Sequence, residues 1–122
     1  MSANILTVDD SASIRMTTKI ALTNAGYKVT EAVDGVDGLN KAKSASFDLI
    51  VTDLNMPNMN GLAMIEAFRQ SPAHTGIPII FLTTESDADM KSRAKAAGAT
   101  GWITKPFDPE QLVKIARKVL GK

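Results

Sequence analysis

The sequence predicts an α/β fold, a doubly wound sheet of five parallel strands with the pattern (βα)5. Five short apolar runs alternate with five segments of helical periodicity along 122 residues. This alternation is typical of parallel sheets with right-handed crossovers. Three of the runs are apolar almost throughout, as strands are when helices cover both faces of a sheet.

The five apolar runs give the positions of the predicted strands. The second apolar run alternates polar and apolar residues, which favours an edge position in the sheet. The five predicted strands are Ile5–Val8, Lys28–Ala32, Leu49–Thr52, Pro78–Leu82 and Gly101–Thr104.

The first three predicted helices have recognisable ends. Gly26 is placed to end the first helix, and Asp34 and Asn60 are expected to N-cap the second and third. The expected buried positions are Ile14, Thr18, Ala21, Leu22 and Ala25 in the first helix, Val36, Leu39 and Ala42 in the second, and Leu62, Ile65 and Phe68 in the third.

The last two helices are marked in the same way. The segment Ser86–Asp89 resembles a capping box before the fourth helix, and Gly98 is placed to stop it. Asp108 precedes Pro109, which favours the first position of a helix. The expected buried positions are Met90, Ala94 and Ala97 in the fourth helix, and Leu112, Ile115, Ala116, Val119 and Leu120 in the fifth.

The amino-acid composition excludes several classes of protein and of site. A net charge of +1 argues against a dedicated nucleic-acid or membrane-surface binder, which would carry a basic stripe. The absence of Cys excludes disulfides and Cys-ligated zinc. No apolar run approaches the ~20 residues that span a bilayer. We therefore expect one cytoplasmic, monomeric domain over residues 1–122, with no output domain.

Polar residues follow four of the predicted strands. Asp9 and Asp10 come after the first, Asp53 after the third, Thr83 after the fourth and Lys105 after the fifth. Ligands of open α/β sheets bind beyond these carboxyl ends. Each residue alone has an ordinary explanation as a helix cap, a turn residue or a solvated charge. Three converging carboxylates would repel one another by up to about 4 kcal/mol per pair at ~4 Å. A divalent cation or a proton must relieve that repulsion.

The residue types favour phosphoryl chemistry. Carboxylate and carbonyl oxygens suit Mg²⁺, and a carboxylate whose charge is offset can act as a nucleophile toward phosphorus. Phosphoryl transfer also needs the peripheral oxygens neutralised, for which an ammonium and a hydroxyl are suitable groups. Lys105 and Thr83 supply those two groups.

These residues identify a resemblance to the response-regulator receiver domains of two-component signalling. It extends over essentially the whole chain and is greatest to the stand-alone chemotaxis receivers. The resemblance implies the flavodoxin-like strand order 2-1-3-4-5. The matching segments are Val8–Ser11, Asp48–Asp53, Met56–Pro57, Gly61, Leu82–Thr84, Gly98–Ala99 and Lys105–Phe107.

The resemblance implies a phosphoacceptor and a metal site. Asp53 would accept the phosphoryl group. Mg²⁺ would be held by Asp53, by Asp10 directly, by Asp9 largely through water, and by the backbone carbonyl of Asn55. Asn55 and Glu85 would tune hydrolysis of the acyl phosphate.

The resemblance also implies a switch. Lys105 would pair with Asp53 and then with its phosphoryl group, while the hydroxyl of Thr83 would close onto that group. The bond between Lys105 and Pro106 would be cis. Trp102 stands where the family usually has Tyr or Phe as the switch aromatic. Because its ring is bulkier, we expect it to shift in population between exposed and partly buried positions and not to switch completely.

The implied function is that of a single-domain response regulator, with self-phosphorylation and autodephosphorylation as its only activities. A sensor histidine kinase would supply the phosphoryl group, and a phosphatase is a further expected partner. The output would be phosphorylation-dependent binding at the flagellar motor switch, in control of flagellar rotation. The alternative is a phosphorelay intermediate or phosphate sink that exchanges with a histidine phosphotransfer protein.

Two rival classes share parts of the pattern. A flavodoxin-like FMN protein has the same fold, but Asp9 and Asp10 would repel its phosphate. An Asp-x-Asp phosphatase needs a second carboxyl as general acid and base. Here Asn55 stands two residues after Asp53, so steady turnover is not expected.

Overall fold

The computed structural model describes residues 3–56, 58–70, 76–84 and 88–121. The five strands are β1 (Asn4–Val8), β2 (Lys28–Ala32), β3 (Leu49–Thr52), β4 (Ile79–Thr83) and β5 (Gly101–Thr104). The five helices are α1 (Ala12–Asn24), α2 (Gly35–Ser44), α3 (Gly61–Phe68), α4 (Ala88–Ala96) and α5 (Pro109–Leu120). Within the described ranges, no helix is both long and apolar enough to cross a membrane.

All strand pairs are parallel, in the order β2-β1-β3-β4-β5. The predicted fold class, the strand order and the edge position of β2 are therefore confirmed. β4 is shifted by one residue from its prediction. Pro78 lacks an N–H and lies just before the strand, where its carbonyl accepts a hydrogen bond from the Ile50 N–H at 3.1 Å.

Apolar side chains fill a layer on each face of the sheet. Because successive strand residues point to opposite faces, Leu6 and Val8 pack in one cluster with α2, α3 and α4. Ile5 packs in the other cluster with α1 and α5. Both sheet faces are thus covered, and the site is left to the edge where the strands end.

Side chains cap four helices at the expected places. Asp34, Asn60 and Asp108 accept from backbone N–H groups at 2.8, 2.7 and 2.9 Å. The N-caps predicted at Asp34 and Asn60 and the helix start predicted at Asp108 and Pro109 are therefore confirmed. Ser11 caps α1. The predicted capping box before α4 begins in residues 85–87, which lie outside the described ranges.

The predicted inner face of α2 is wrong at one position. Val36 is exposed, whereas Gly35, Gly38 and Ala42 are buried. A Cβ at Gly38 would collide with the side chains of Val8 and Met64. The face that meets the core is therefore made of small residues, which brings α2 close to α3 and turns Val36 outward.

Candidate functional site

Backbone hydrogen bonds extend the pairing between strands to the residues of the site. The N–H of Asp53 donates to the carbonyl of Val8 at 2.8 Å, and the N–H of Lys105 donates to the carbonyl of Thr83 at 2.8 Å. Each functional residue is thus fixed by the strand beside its own. The carboxyl ends of β1, β3, β4 and β5 meet here, as the sequence predicts.

Three carboxylates come together at this edge. Asp9, Asp10 and Asp53 each offer an oxygen, and these atoms all lie within 4.8 Å of one another. Asp9 and Asp53 are buried and Asp10 is exposed. Hard oxygen donors with one side open to solvent suit Mg²⁺, which keeps several of its waters. The residues present therefore fit the ion.

Lys105 bridges the two buried carboxylates. Its Nζ lies 2.8 Å from Oδ2 of Asp9 and 3.2 Å from Oδ2 of Asp53. Desolvation by burial lowers the pKa of Lys105, but the hydrogen bond that its ammonium donates to Asp9 and the charge of Asp53 outweigh it and leave the pKa raised. The ammonium is therefore held in its charged form between the two acids.

The surroundings of Asp53 oppose its own charge. Desolvation by burial raises the pKa of Asp53, and the charge of Asp9 adds to that effect, while Lys105 and the N–H of Leu54 partly offset it. The Leu54 N–H donates to Oδ1 at 2.7 Å, so the carboxylate is held at both oxygens. A group that shares the negative charge of the Asp53 carboxylate, or that places positive charge beside it, would lower the free-energy cost of its ionisation.

Two residues that sequence reasoning missed, Arg15 and Asn58, make contacts with the loops that follow the strands. Arg15 donates from Nη1 to the carbonyl of Asp9 at 2.6 Å and pairs through Nε with Glu31 at 3.6 Å. Asn58, at φ 69°, donates from Nδ2 to Oδ2 of Asp34 at 2.8 Å. None of these contacts has a sequence signal, because each depends on how separate elements pack together, which no local pattern encodes.

Gly61 is fixed by the loop that follows the phosphoacceptor candidate. A Cβ at this position would collide with the carbonyl oxygen of Asp53, and the Gly61 N–H donates to the carbonyl of Leu54 at 2.8 Å. The close approach explains why glycine stands there: the start of α3 is pressed against the loop that carries Asp53.

The remaining predicted residues differ in placement. Thr83 is fully buried at the end of β4, and Asn55, two residues after Asp53 in the sequence, is exposed. Glu85 lies outside the described residues. The bond between Lys105 and Pro106 is cis, as the resemblance implies.

Trp102 lies on β5, on the same side of the sheet as Phe81. The two ring centroids are 5.8 Å apart, and the ammonium of Lys91 lies 5.7 Å from the indole centroid. The residue is half-buried. Its Nε1 is buried and has no hydrogen-bond partner within the described part of the chain.

Comparison with known proteins gives a consistent family. The response regulator receiver domain family matches residues 5–117. Response regulator ArlR of Staphylococcus aureus strain Mu50 is 39% identical over 116 residues, which is 95% of this chain and 52% of that protein. The chain thus spans about half the length of this curated relative.

Solved structures resemble the whole chain. Chemotaxis protein CheY4 of Vibrio cholerae is 46% identical with a TM-score of 0.93, over 98% of this chain and 100% of that one. The receiver domain of sensor histidine kinase PA1611 from Pseudomonas aeruginosa PAO1 is 25% identical with a TM-score of 0.90, over 100% of both chains. In that structure a magnesium ion is coordinated in the active-site cleft.

Proposed function

This chain belongs to the response regulator receiver domain family, and we propose on that basis that it accepts a phosphoryl group from a histidine kinase on Asp53. The observation that carries the proposal is the placement of one buried ammonium on two buried carboxylates, with three acidic oxygens within 4.8 Å. In receivers this arrangement serves Mg²⁺-dependent phosphoryl transfer.

The chemistry starts from the carboxylate of Asp53. One of its oxygens attacks the phosphorus of a phosphohistidine and the P–N bond breaks. The imidazole leaves with the bonding electron pair and is neutral, because its other ring nitrogen already carries a proton. Asp9, Asp10, Asp53 and the carbonyl of Asn55 would hold Mg²⁺, which when bound neutralises charge on the phosphoryl oxygens. Lys105 is already within 3.2 Å of Asp53 and can turn its ammonium to the new phosphoryl group.

The signal then passes from Thr83 toward β5. Thr83, Phe81 and Trp102 face the same side of the sheet, because Phe81 packs with the Trp102 cluster and strand residues alternate. A move of the Thr83 hydroxyl onto the phosphoryl group would disturb the wall against which Trp102 packs. Asn55 and Glu85 are proposed to set the rate at which water hydrolyses the acyl phosphate.

We propose the flagellar motor switch as the target, in control of chemotaxis. The support is the likeness to a chemotaxis protein at 46% identity over 98% of the chain. The alternative is a relay or phosphate sink that exchanges with a histidine phosphotransfer protein. Exposed apolar residues on α1, beside the phosphoacceptor edge, favour a partner that docks there.

Mass spectrometry after incubation with acetyl phosphate tests the phosphoacceptor. With Mg²⁺ the wild type should gain one phosphoryl group, and Asp53→Asn should gain none. Asp48→Asn is the matched control, since Asp48 stands at the opposite end of β3 and should leave labelling unchanged. Mg²⁺-dependent labelling of Asp53→Asn would refute the assignment. Lys105→Ala should still be labelled but should not pass the signal to a partner.

A further inference from the structure

A small cavity lies between the sheet and α1, behind the carboxylates. Its walls include Thr7 of β1, Thr18 and Arg15 of α1, and the acids Asp9 and Asp53. Its volume is about 10 Å³, close to that of a single water-sized sphere. The cavity is therefore large enough for one water molecule and for nothing larger.

Two hydroxyls in its wall have no hydrogen-bond partner among the described residues. Thr7 and Thr18 are each 2% exposed, and the Oγ1 atoms of both lack a hydrogen bond within the described part of the chain. A buried hydroxyl without a partner destabilises the folded state, because it has lost its hydrogen bonds to solvent and gained none in return. Such groups in native proteins are nearly always paired with protein or with ordered water.

Thr18 behaves differently from its neighbour on the same helix. Thr17 donates to the carbonyl of Ser13 at 3.0 Å, the local bond that threonine makes in a helix. The Thr18 hydroxyl makes no such bond. Its side chain lines the cavity together with that of Thr7.

We propose that this cavity binds one water molecule, which joins the hydroxyls of Thr7 and Thr18 and so ties α1 to β1 beneath Asp9 and Asp53. A water needs two to four polar partners. Two hydroxyls, each able to donate and to accept, meet that need. The water would complete the floor of the acidic site from the side opposite to solvent.

Valine substitutions distinguish a bound water from a dry cavity. If the water is present, Thr18→Val and Thr7→Val each remove one of its partners, and each should lower Tm by several degrees. The double variant should lose less than the sum, because the second change removes a partner of a water already displaced. Thr17→Val is the control for β-branching and should change Tm little.

The opposite result is equally definite. In a dry cavity, valine would replace an unpaired buried hydroxyl by a methyl group, so Thr18→Val and Thr7→Val would raise Tm and their effects would add. That outcome overturns the proposal. A high-resolution crystal structure of the wild type should show a density peak within hydrogen-bond distance of both hydroxyls. A structure without such a peak would overturn the proposal as well.

Discussion

The carboxylate of Asp53 is placed where its charge is disfavoured. Burial and the neighbouring charge of Asp9 raise its pKa above the ordinary value despite the contact with Lys105. In the unfolded chain the group ionises at its ordinary pKa of 3.8. Ionisation of Asp53 therefore lowers the stability of the native state at neutral pH.

Asp53→Asn should consequently raise Tm by a few degrees at pH 7 in Mg²⁺-free buffer. This advantage should shrink as the pH falls through the native pKa and vanish below 3.8, where the carboxyl is neutral in both states. Mg²⁺ should raise the Tm of the wild type and not that of the variant. Thermal melts followed by circular dichroism test this, with the exposed Asp48→Asn as control. A variant less stable than wild type at pH 7 would contradict it.

Trp102 is placed to report on activation. It is half-buried against Phe81, its N–H is unpaired in the described part of the chain, and it is the only Trp of the sequence. A buried indole N–H favours any position in which it finds an acceptor. Activation should therefore shift the population of ring positions, not replace one by another.

Fluorescence measures this shift directly. Adding beryllofluoride with Mg²⁺ should change the emission of Trp102 or its quenching by iodide, and Asp53→Asn should abolish the change. Lys91→Gln serves as a local control, because it removes the ammonium over the ring without touching the acidic site. If emission and quenching stay constant while ¹⁹F NMR shows the mimic bound, Trp102 takes no part in the switch.

At the scale of elements, α4 presents a basic surface. Ala94 is buried and Lys91 and Lys95 are exposed, which is the orientation that the helical spacing predicts. The ammonium of Lys91 lies 5.7 Å from the centroid of the Trp102 ring. We expect Lys95 and the exposed Lys118 of α5 to extend this site into a basic surface on α4, β5 and α5. Such a surface suits an acidic partner.

Lys91→Glu with Lys95→Glu should lower the affinity for the proposed target, the flagellar motor switch protein, at least tenfold, a loss of about 1.4 kcal/mol or more. Labelling by acetyl phosphate should be unchanged. Lys28→Glu with Lys43→Glu makes the same charge change on exposed residues of β2 and α2 and should leave affinity intact. Isothermal titration calorimetry decides the case, and equal affinities for the two double variants would count against the surface.

The helices and strands also show which features of the fold can be predicted from the sequence. Periodicity and caps predict the order, type and most boundaries of the strands and helices, because those signals are local. The buried face of α2 could not be predicted from these signals. Gly35 and Gly38 are invisible to a search for apolar spacing, yet their lack of side chains is what lets the helix approach its neighbours.

For the whole molecule, parallel strands bring their carboxyl ends to one edge, so Asp9, Asp53 and Lys105 could be predicted to meet. The contacts with α1 that lie behind these three side chains could not be predicted. The bond of Arg15 to the carbonyl of Asp9 and the cavity between Thr7 and Thr18 depend on the packing of α1 against the sheet. That packing depends on how side chains from different parts of the sequence fit together, and no regular spacing of residues along the chain encodes it.

The molecule also separates two surfaces. The basic surface lies on α4, β5 and α5, whereas Met16 and Ile20 are exposed on α1 at 62% and 54%. Val33 and Val36 are exposed where β2 ends, next to the strand that carries Asp9. We propose that a phosphohistidine donor reaches Asp53 from this edge and docks on these apolar residues.

Met16→Glu with Ile20→Glu should therefore slow phosphotransfer from a histidine donor at least tenfold, because both carboxylates would be desolvated against an apolar partner. The donor is the kinase that labels the wild type fastest in a phosphotransfer panel. Acetyl phosphate is too small to need a docking surface, so its labelling rate should stay within about twofold. Thr17→Glu with Thr23→Glu adds the same charge to other exposed positions of α1 and controls for helix electrostatics. Equal slowing with both phosphate sources would mean that the α1 variant damages the acidic site itself, and no slowing with the kinase would remove α1 from the input surface.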